Sequence, residues 1–247
     1  NMRFTSHADY ASRSLEEILG NFLREFEYLE IDTLETVILL NLPDGIEKVA
    51  LNPAAQWAPC FGPTVADFNN DGHEDVFLSQ NLDTGNHKWG RMDAGHGLLL
   101  LGDGEGNLNA IPSTASGIRL KNEQRGTATA DFNQDGKMDL AVLERGKGAH
   151  LFVNQTEHTG VTVSLKGSSA NPHCIGARLQ KINLQTGNVY GPSKEIQSGS
   201  GYRSLNSLKH VFAHPGKAFQ IQVTWPNGKI SRHSIPSGIT TVTLQQP

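Results

Sequence analysis

Cysteine is nearly missing from this chain: 2 residues among 247. Cys60 and Cys174 make neither a zinc-ligand pattern nor a disulfide framework, so free, buried thiols are expected, with a single bridge as the alternative in an exported protein. Aromatic residues are 7% and charged residues 19%, while hydrophobic residues reach 37%. A fibrous or disordered chain is excluded by that balance. No apolar run approaches the ~18 residues of a membrane span, and the first residues lack the apolar stretch of a secretory leader. Secretion stays open, because a leader can be cleaved from a mature chain. Catalytic signatures are also missing. There is no Gly-x-Ser-x-Gly elbow, no His-Glu-x-x-His and no phosphate-loop lysine motif. A Ser200 nucleophile with His210 or His214 as base would rest on sequence proximity alone. The chain is therefore read as non-enzymatic.

Charge is abundant but divided. Residues 1–150 hold 23 acidic and 12 basic side chains, a net of −11, and residues 151–247 hold 2 and 9, a net of +7. Two units with a boundary near residues 154–162 follow. The basic side chains are scattered without interleaved aromatics, which argues against nucleic acid as a partner.

The most informative feature is a repeat at an offset of 64 residues. Residues 62–75 read GPTVADFNNDGHED and residues 126–139 read GTATADFNQDGKMD, identical at 8 of 14 positions. Short apolar or β-branched segments flank each copy, at 64–68 and 76–78, then 127–132 and 140–143. Segments this short bounded by Gly and Asp predict strands. The first copy continues through 97–101, a turn at Asp103-Gly104, and 108–111. A half-unit at 36–40 and 46–51 resembles this ending, and 150–154 follows the second copy. Four-stranded units at this period suggest propeller blades. Four blades would need about 256 residues, more than the chain has, so about two and a half are expected. Such a fragment would belong to a longer protein, pair with further copies, or have its open edge covered.

Ahead of the blades, Ser14 and Glu17 form a capping-box pattern, and Leu15, Ile18, Leu19, Phe22, Leu23 and Phe26 follow helical spacing. A helix is expected there. After the blades, Phe219, Ile221, Val223 and Trp225 alternate with polar residues and lead into Asn227-Gly228, a hairpin signal. Residues 230–235 and 240–244 supply further strands. The expected class is all-β, with a helical segment over 1–33, blades over 34–157 and a β-domain over 158–247.

Each repeat contains D-x-N-x-D-G-x-x-D. The residues are Asp67, Asn69, Asp71, His73 and Asp75, then Asp131, Asn133, Asp135, Lys137 and Asp139. Oxygen side chains at positions 1, 3 and 5 converge in a tight loop, and the Gly at position 6 permits the turn. Position 7 offers its backbone carbonyl, and the last Asp closes the shell. Hard oxygen donors suit Ca²⁺ and not zinc or copper. Leu78 and Val142 stand where an EF-hand has its terminal Glu, and the flanks read as strands, so an EF-hand is excluded. Two structural Ca²⁺ sites are expected, the first tighter, because it carries His73-Glu74 where the second has Lys137-Met138.

The loops, each preceded by Ala-Asp-Phe, resemble FG-GAP or VCBS repeats. The basic part resembles the ASPIC/UnbV domain through Asn171-Pro172, Ile175-Gly176-Ala177-Arg178, Gly199 to Ser204 (GSGYRS) and Trp225-Pro226-Asn227-Gly228. The resemblance spans about 34–247. It implies a secreted or cell-surface, calcium-binding, largely non-enzymatic β-propeller protein. One departure is Phe212-Ala213-His214-Pro215 where that domain has Phe-Gly-Leu-Gly.

The loop at 81–96 is long for a blade connection and carries His87, Lys88, Trp89 and Arg91. Trp89 and Arg91 are candidate contacts for a protein or glycan partner. Asn154-Gln155-Thr156 is a glycosylation sequon if the chain passes through a eukaryotic secretory route. Two further readings stand beside a binding module: a self-assembling propeller fragment, and a calcium-assisted polysaccharide enzyme.

Overall fold

The computed structural model describes residues 4–25, 27, 29–83, 90–214, 216 and 218–247. The chain divides into two compact units, Asn1–Glu35 and Thr36–Pro247.

The first unit holds two short helices, α1 (His7–Ala11) and α2 (Leu15–Leu19), the latter running into a 3₁₀ turn, Gly20–Arg24. The expected capping box is present: Ser14 Oγ accepts from the Glu17 amide, and the Glu17 carboxylate accepts from the Ser14 amide. The helix stops earlier than its apolar spacing predicts. Gly20 adopts φ 53°, outside the helical region, and no residue of α2 or the following turn is buried. Phe26 lies outside the described residues.

The second unit is all-β. A hairpin of β1 (Val37–Leu42) and β2 (Gly45–Ala50) comes first, turning at Pro43-Asp44. Next come β3 (Cys60–Ala66), β4 (Asp75–Gln80), β5 (Leu82–Asp83), β6 (Arg91–Met92), β7 (Leu98–Gly102) and β8 (Leu108–Ile111). They form a four-stranded antiparallel blade in the order β3-β4-β7-β8, with β5-β6 as a small hairpin in the β4–β7 connection. After a short helix α3 (Ser113–Ser116), strands β9 (Gln124–Ala130), β10 (Asp139–Glu144) and β11 (Gly148–Phe152) form a second, three-stranded blade. The matched repeats thus become matched strand–loop–strand units, β3-loop-β4 and β9-loop-β10.

The two blades share a core. Ala66, Phe68 and Phe77 of the first pack with Met138, Leu140 and Val142 of the second, and Ile118 and Leu120 from the linker join them. Burying each large apolar side chain contributes about 1.5–3 kcal/mol. The innermost strands approach closely. The hydroxyls of Thr64 and Thr127 hydrogen-bond across the interface, and a Cβ on Gly62 would stand 2.5 Å from the Arg125 carbonyl oxygen. The glycine opening the first repeat is there because backbone must approach backbone.

The remaining strands are β12 (Gly160–Lys166), β13 (Arg178–Ile182), β14 (Val189–Glu195), β15 (His210–Ala213), β16 (Phe219–Thr224), β17 (Ile230–Ile235) and β18 (Thr241–Gln245). One sheet runs β15-β12-β18 and the other β14-β13-β16-β17. Their apolar faces enclose a common core of Val161, Val163, Leu179, Phe212, Phe219, Ile221, Val223, Trp225, Ile235 and Leu244, a β-sandwich. The alternation over 219–225 and the Trp225–Lys229 hairpin turn appear as expected. Phe212 and Ala213, where the departure from Phe-Gly-Leu-Gly begins, end β15, while Pro215 lies outside the described residues. Asn171 fastens its turn through both sides of its amide to Ile175. Among the described residues no sheet mixes strands from the two sides of residue 157, yet Val211 of β15 packs into the inter-blade core, and 36–247 holds together as one unit.

Candidate metal-binding loops

Both repeat loops close by the same hydrogen bonds. In the first, Asp67 accepts from the amides of Asp71 (3.0 Å) and Gly72 (2.9 Å), one on each oxygen. Asn69 Oδ1 accepts from the Asp71 amide (3.1 Å), and Asp71 Oδ1 accepts from the His73 amide (2.8 Å). In the second, Asp131 accepts from Asp135 (2.9 Å) and Gly136 (3.1 Å), Asn133 from Asp135 (3.2 Å), and Asp135 from Lys137 (3.1 Å). Asn69 and Asn133 each donate to the aspartate two residues on, at 2.8 and 3.0 Å. Position 4 is left-handed in both, Asn70 at φ 55° and Gln134 at φ 61°.

The last aspartates act differently from positions 1, 3 and 5. Asp75 is fully buried and accepts from the Phe68 amide (2.7 Å) and from the Gly102 amide of β7 (2.9 Å). Asp139 is equally buried and accepts from Phe132 (2.9 Å) and Asn154 (2.8 Å). Each one clamps its loop to a neighbouring strand or linker. A carboxylate has about four lone-pair sites, so two are left on each clamp.

The donor set is all oxygen, as Ca²⁺ requires: two carboxylates and one amide carbonyl per loop, with a backbone carbonyl at His73 or Lys137 in addition. Counted by acidic, His and Cys side chains alone, no group of three is gathered to hold a metal ion among the described residues. The fit therefore rests on Asn69, Asn133 and backbone oxygens as well as on aspartate. Burial acts on two carboxylates of the first repeat. Burial raises the pKa of Asp67. It raises that of Asp75 to about 6, against its two amide donors and assisted by the charges of Asp67 and Asp71.

The loops also hold the molecule together, which sequence reasoning missed. Asn70 reaches from the first loop to the carbonyls of Gly136 in the second (3.2 Å) and His158 (2.9 Å). The Gly160 amide donates to the Gly136 carbonyl (2.8 Å). Gly136 is at φ 79°, and a Cβ there would stand 2.6 Å from the Gly160 carbonyl oxygen. The Thr162 hydroxyl of β12 donates to Asp131 (2.7 Å). The only advance signal was an amide residue in a position that favours φ above zero. Asn154, read from sequence as a glycan acceptor, donates its Nδ2 to the carbonyls of Phe68 (2.7 Å) and Met138 (3.0 Å). In this fold that nitrogen is engaged in joining the two loops.

The charge advantage expected for the first loop is compensated. Glu74 pairs with Lys194 of β14 (2.8 Å), and Lys181 of β13 lies beside the loop as well. Burial lowers the Lys181 pKa, while Asp67, Asp71 and Glu74 pull it upward.

Of the candidate contact residues, Trp89 lies outside the described residues, as do His87 and Lys88. Arg91 is exposed on β6 and pairs with Asp93 (3.1 Å). The base of this loop is firmly held. Asn81 and Gly95 bond reciprocally at 2.8 and 2.9 Å. Glu123, 5% exposed, accepts from the Asp83 amide (2.8 Å), Arg125 (2.7 Å) and Arg145 (3.3 Å). Burial alone would raise its pKa, and these donors more than offset that.

Ser200 and His210 border one cleft of about 320 Å³ between β3 and the sandwich. Each is engaged elsewhere: Ser200 Oγ accepts from the Asn206 amide (2.6 Å), and His210 Nε2 lies 3.2 Å from the Glu195 carbonyl. Cys60 and Cys174 are free thiols, and burial pushes the Cys60 pKa up to about 11. No helix among the described residues is long and apolar enough to cross a membrane.

The all-β fold with duplicated acidic loops agrees with comparison to known proteins. Residues 67–142, from the first loop into β10, match the FG-GAP-like repeat family model. The chain is also 27% identical over 178 residues to cartilage acidic protein 1 of Homo sapiens, a match covering 70% of this chain and 26% of that protein. The chain thus spans about a quarter of the length of that curated relative.

Proposed function

We propose that this chain is a calcium-stabilised, non-catalytic binding module of an extracellular protein. The observation that carries this reading is the duplicated loop. Two copies of D-x-N-x-D-G-x-x-D, within a region that matches an FG-GAP-like repeat, fold with the same hydrogen bonds. Asp67, Asn69, Asp71 and the His73 carbonyl would hold one Ca²⁺, and Asp131, Asn133, Asp135 and the Lys137 carbonyl the other. Asp75 and Asp139 would add their remaining lone pairs. The ion would supply positive charge where aspartates crowd, and no chemistry. Each loop joins two strands and meets the sandwich, the first through Lys194 and the second through Thr162, so bound metal would stabilise the junction.

The 81–96 loop is proposed as the contact for a protein or glycan, through Arg91 and Trp89. The sandwich is proposed as an ASPIC/UnbV-like domain. Equilibrium dialysis against radioactive calcium tests the metal assignment. Two ions per chain are expected, with Asp71→Asn and Asp135→Asn each weakening one. A chain that binds no calcium at millimolar concentration contradicts it.

A further inference from the structure

The sandwich meets the two loops with different chemistry. At the second it offers the Thr162 hydroxyl to Asp131 and the Gly160 amide to Gly136. At the first it offers ammonium groups. Lys194 pairs with Glu74. Lys181 is only 6% exposed, yet among the described residues it has no carboxylate in ion-pair contact. Its Nζ lies 5.2 Å from the Tyr190 ring centroid. A methyl group on Gly72, in the turn of the first loop, would stand 3.4 Å from that Nζ. The Lys181 stem is fixed on its other side too, since a methyl on Gly191 would lie 3.5 Å from Cε. A nearly buried ammonium is costly unless negative charge faces it. The charges that act on it are Asp67, Asp71 and Glu74, with Lys194 opposing.

We propose that Lys181 is a tethered counter-cation for the first acidic loop, so that this loop keeps its fold without metal and binds Ca²⁺ more weakly than the second. The metal half of this statement rests on the calcium reading above. The counter-cation half does not. The order of affinities is the reverse of that expected from the sequence, because the lysines come from a strand pair more than 100 residues downstream. At the second loop no ammonium or guanidinium is paired with Asp131 or Asp135 among the described residues.

The equivalence of the two loops provides the control. In chelator, Asp71→Asn removes a charge that Lys181 attracts, whereas Asp135→Asn removes one that has no such partner. The hydrogen bond each accepts from the residue two positions on is kept by the asparagine carbonyl. Asp71→Asn is expected to lower Tm more than Asp135→Asn, and Lys181→Met is expected to erase that difference. Equal or reversed Tm changes in the otherwise unaltered chain would overturn the counter-cation, and this comparison stands even if Lys181→Met fails to fold. Calorimetric titration with Ca²⁺ gives the second readout. With the second loop disabled by Asp135→Asn, Lys181→Met should tighten the remaining site about tenfold or more; an unchanged constant contradicts the proposed competition. Absence of calcium binding in every variant, with the Tm difference present, would sustain Lys181 as counter-cation and discard the calcium reading instead.

Discussion

At the scale of single residues, spacing named the aspartates but not their orientation. The motif puts five oxygen-bearing positions in each repeat; four of each lie in the loop, and the fifth, Asp75 or Asp139, opens the following strand. What spacing does not contain is the partner beyond the loop. Asp75 finds the Gly102 amide 27 residues later, and Asn70 finds His158 across 88 residues. His210 shows the same limit. Its sequence neighbourhood is bland, but burial first, and the Lys194 charge second, push its pKa down to about 4. The unfolded chain binds that proton near the ordinary value of about 6.5. A depressed histidine therefore contributes stability that is complete above pH 6.5 and is lost as pH falls toward 4. Unfolding free energies of the protein and of His210→Gln should converge across that window. Because the buried carboxylates titrate alike in both, parallel curves would show that His210 is not held neutral.

At the scale of elements, most of the β-structure was legible. Residues 108–111 and 230–235 are strands with the expected bounds. Of the strands that no pattern announced, the short β5 and β6 lie in the 81–96 loop and the other four, β12 to β15, lie in the sandwich. β14 reads VYGPSKE, poor in strand formers, and occupies a sheet edge, where proline is tolerated. β12 pairs in parallel with β18, about 80 residues away, which no local signal encodes. The helix failed in the other direction: its cap was legible, but without a buried face the amphipathic stripe extends no further than Gly20. The β5-β6 loop is anchored by Glu123 and exposes Arg91, so its two roles separate. Glu123→Ala should cost about 1–3 kcal/mol in urea unfolding, since it removes a buried carboxylate that accepts three part-buried hydrogen bonds. Arg91→Ala should leave the unfolding midpoint unchanged and weaken binding to a protein or glycan partner. A midpoint shift from Arg91→Ala, or an unchanged one from Glu123→Ala, contradicts this division.

At the scale of the whole molecule, the charge asymmetry suggested a boundary near residues 154–162, whereas residues 36–247 hold together across it as one compact unit. The acidic loops themselves form much of that junction, through Asn70, Thr162 and Asn154, while Val211 extends the apolar core across it. Metal bound at the loops would thus stabilise the arrangement of the parts as well as each blade. The direct measurement is thermal unfolding of the chelator-treated protein, with and without millimolar Ca²⁺, and with Mg²⁺ for comparison. At 100 times its dissociation constant, Ca²⁺ should add about 2.7 kcal/mol per site. The predicted result is a rise in Tm of several degrees that Mg²⁺ does not reproduce. A Tm unmoved by calcium, in protein shown to be stripped of metal, would contradict the calcium-stabilised module.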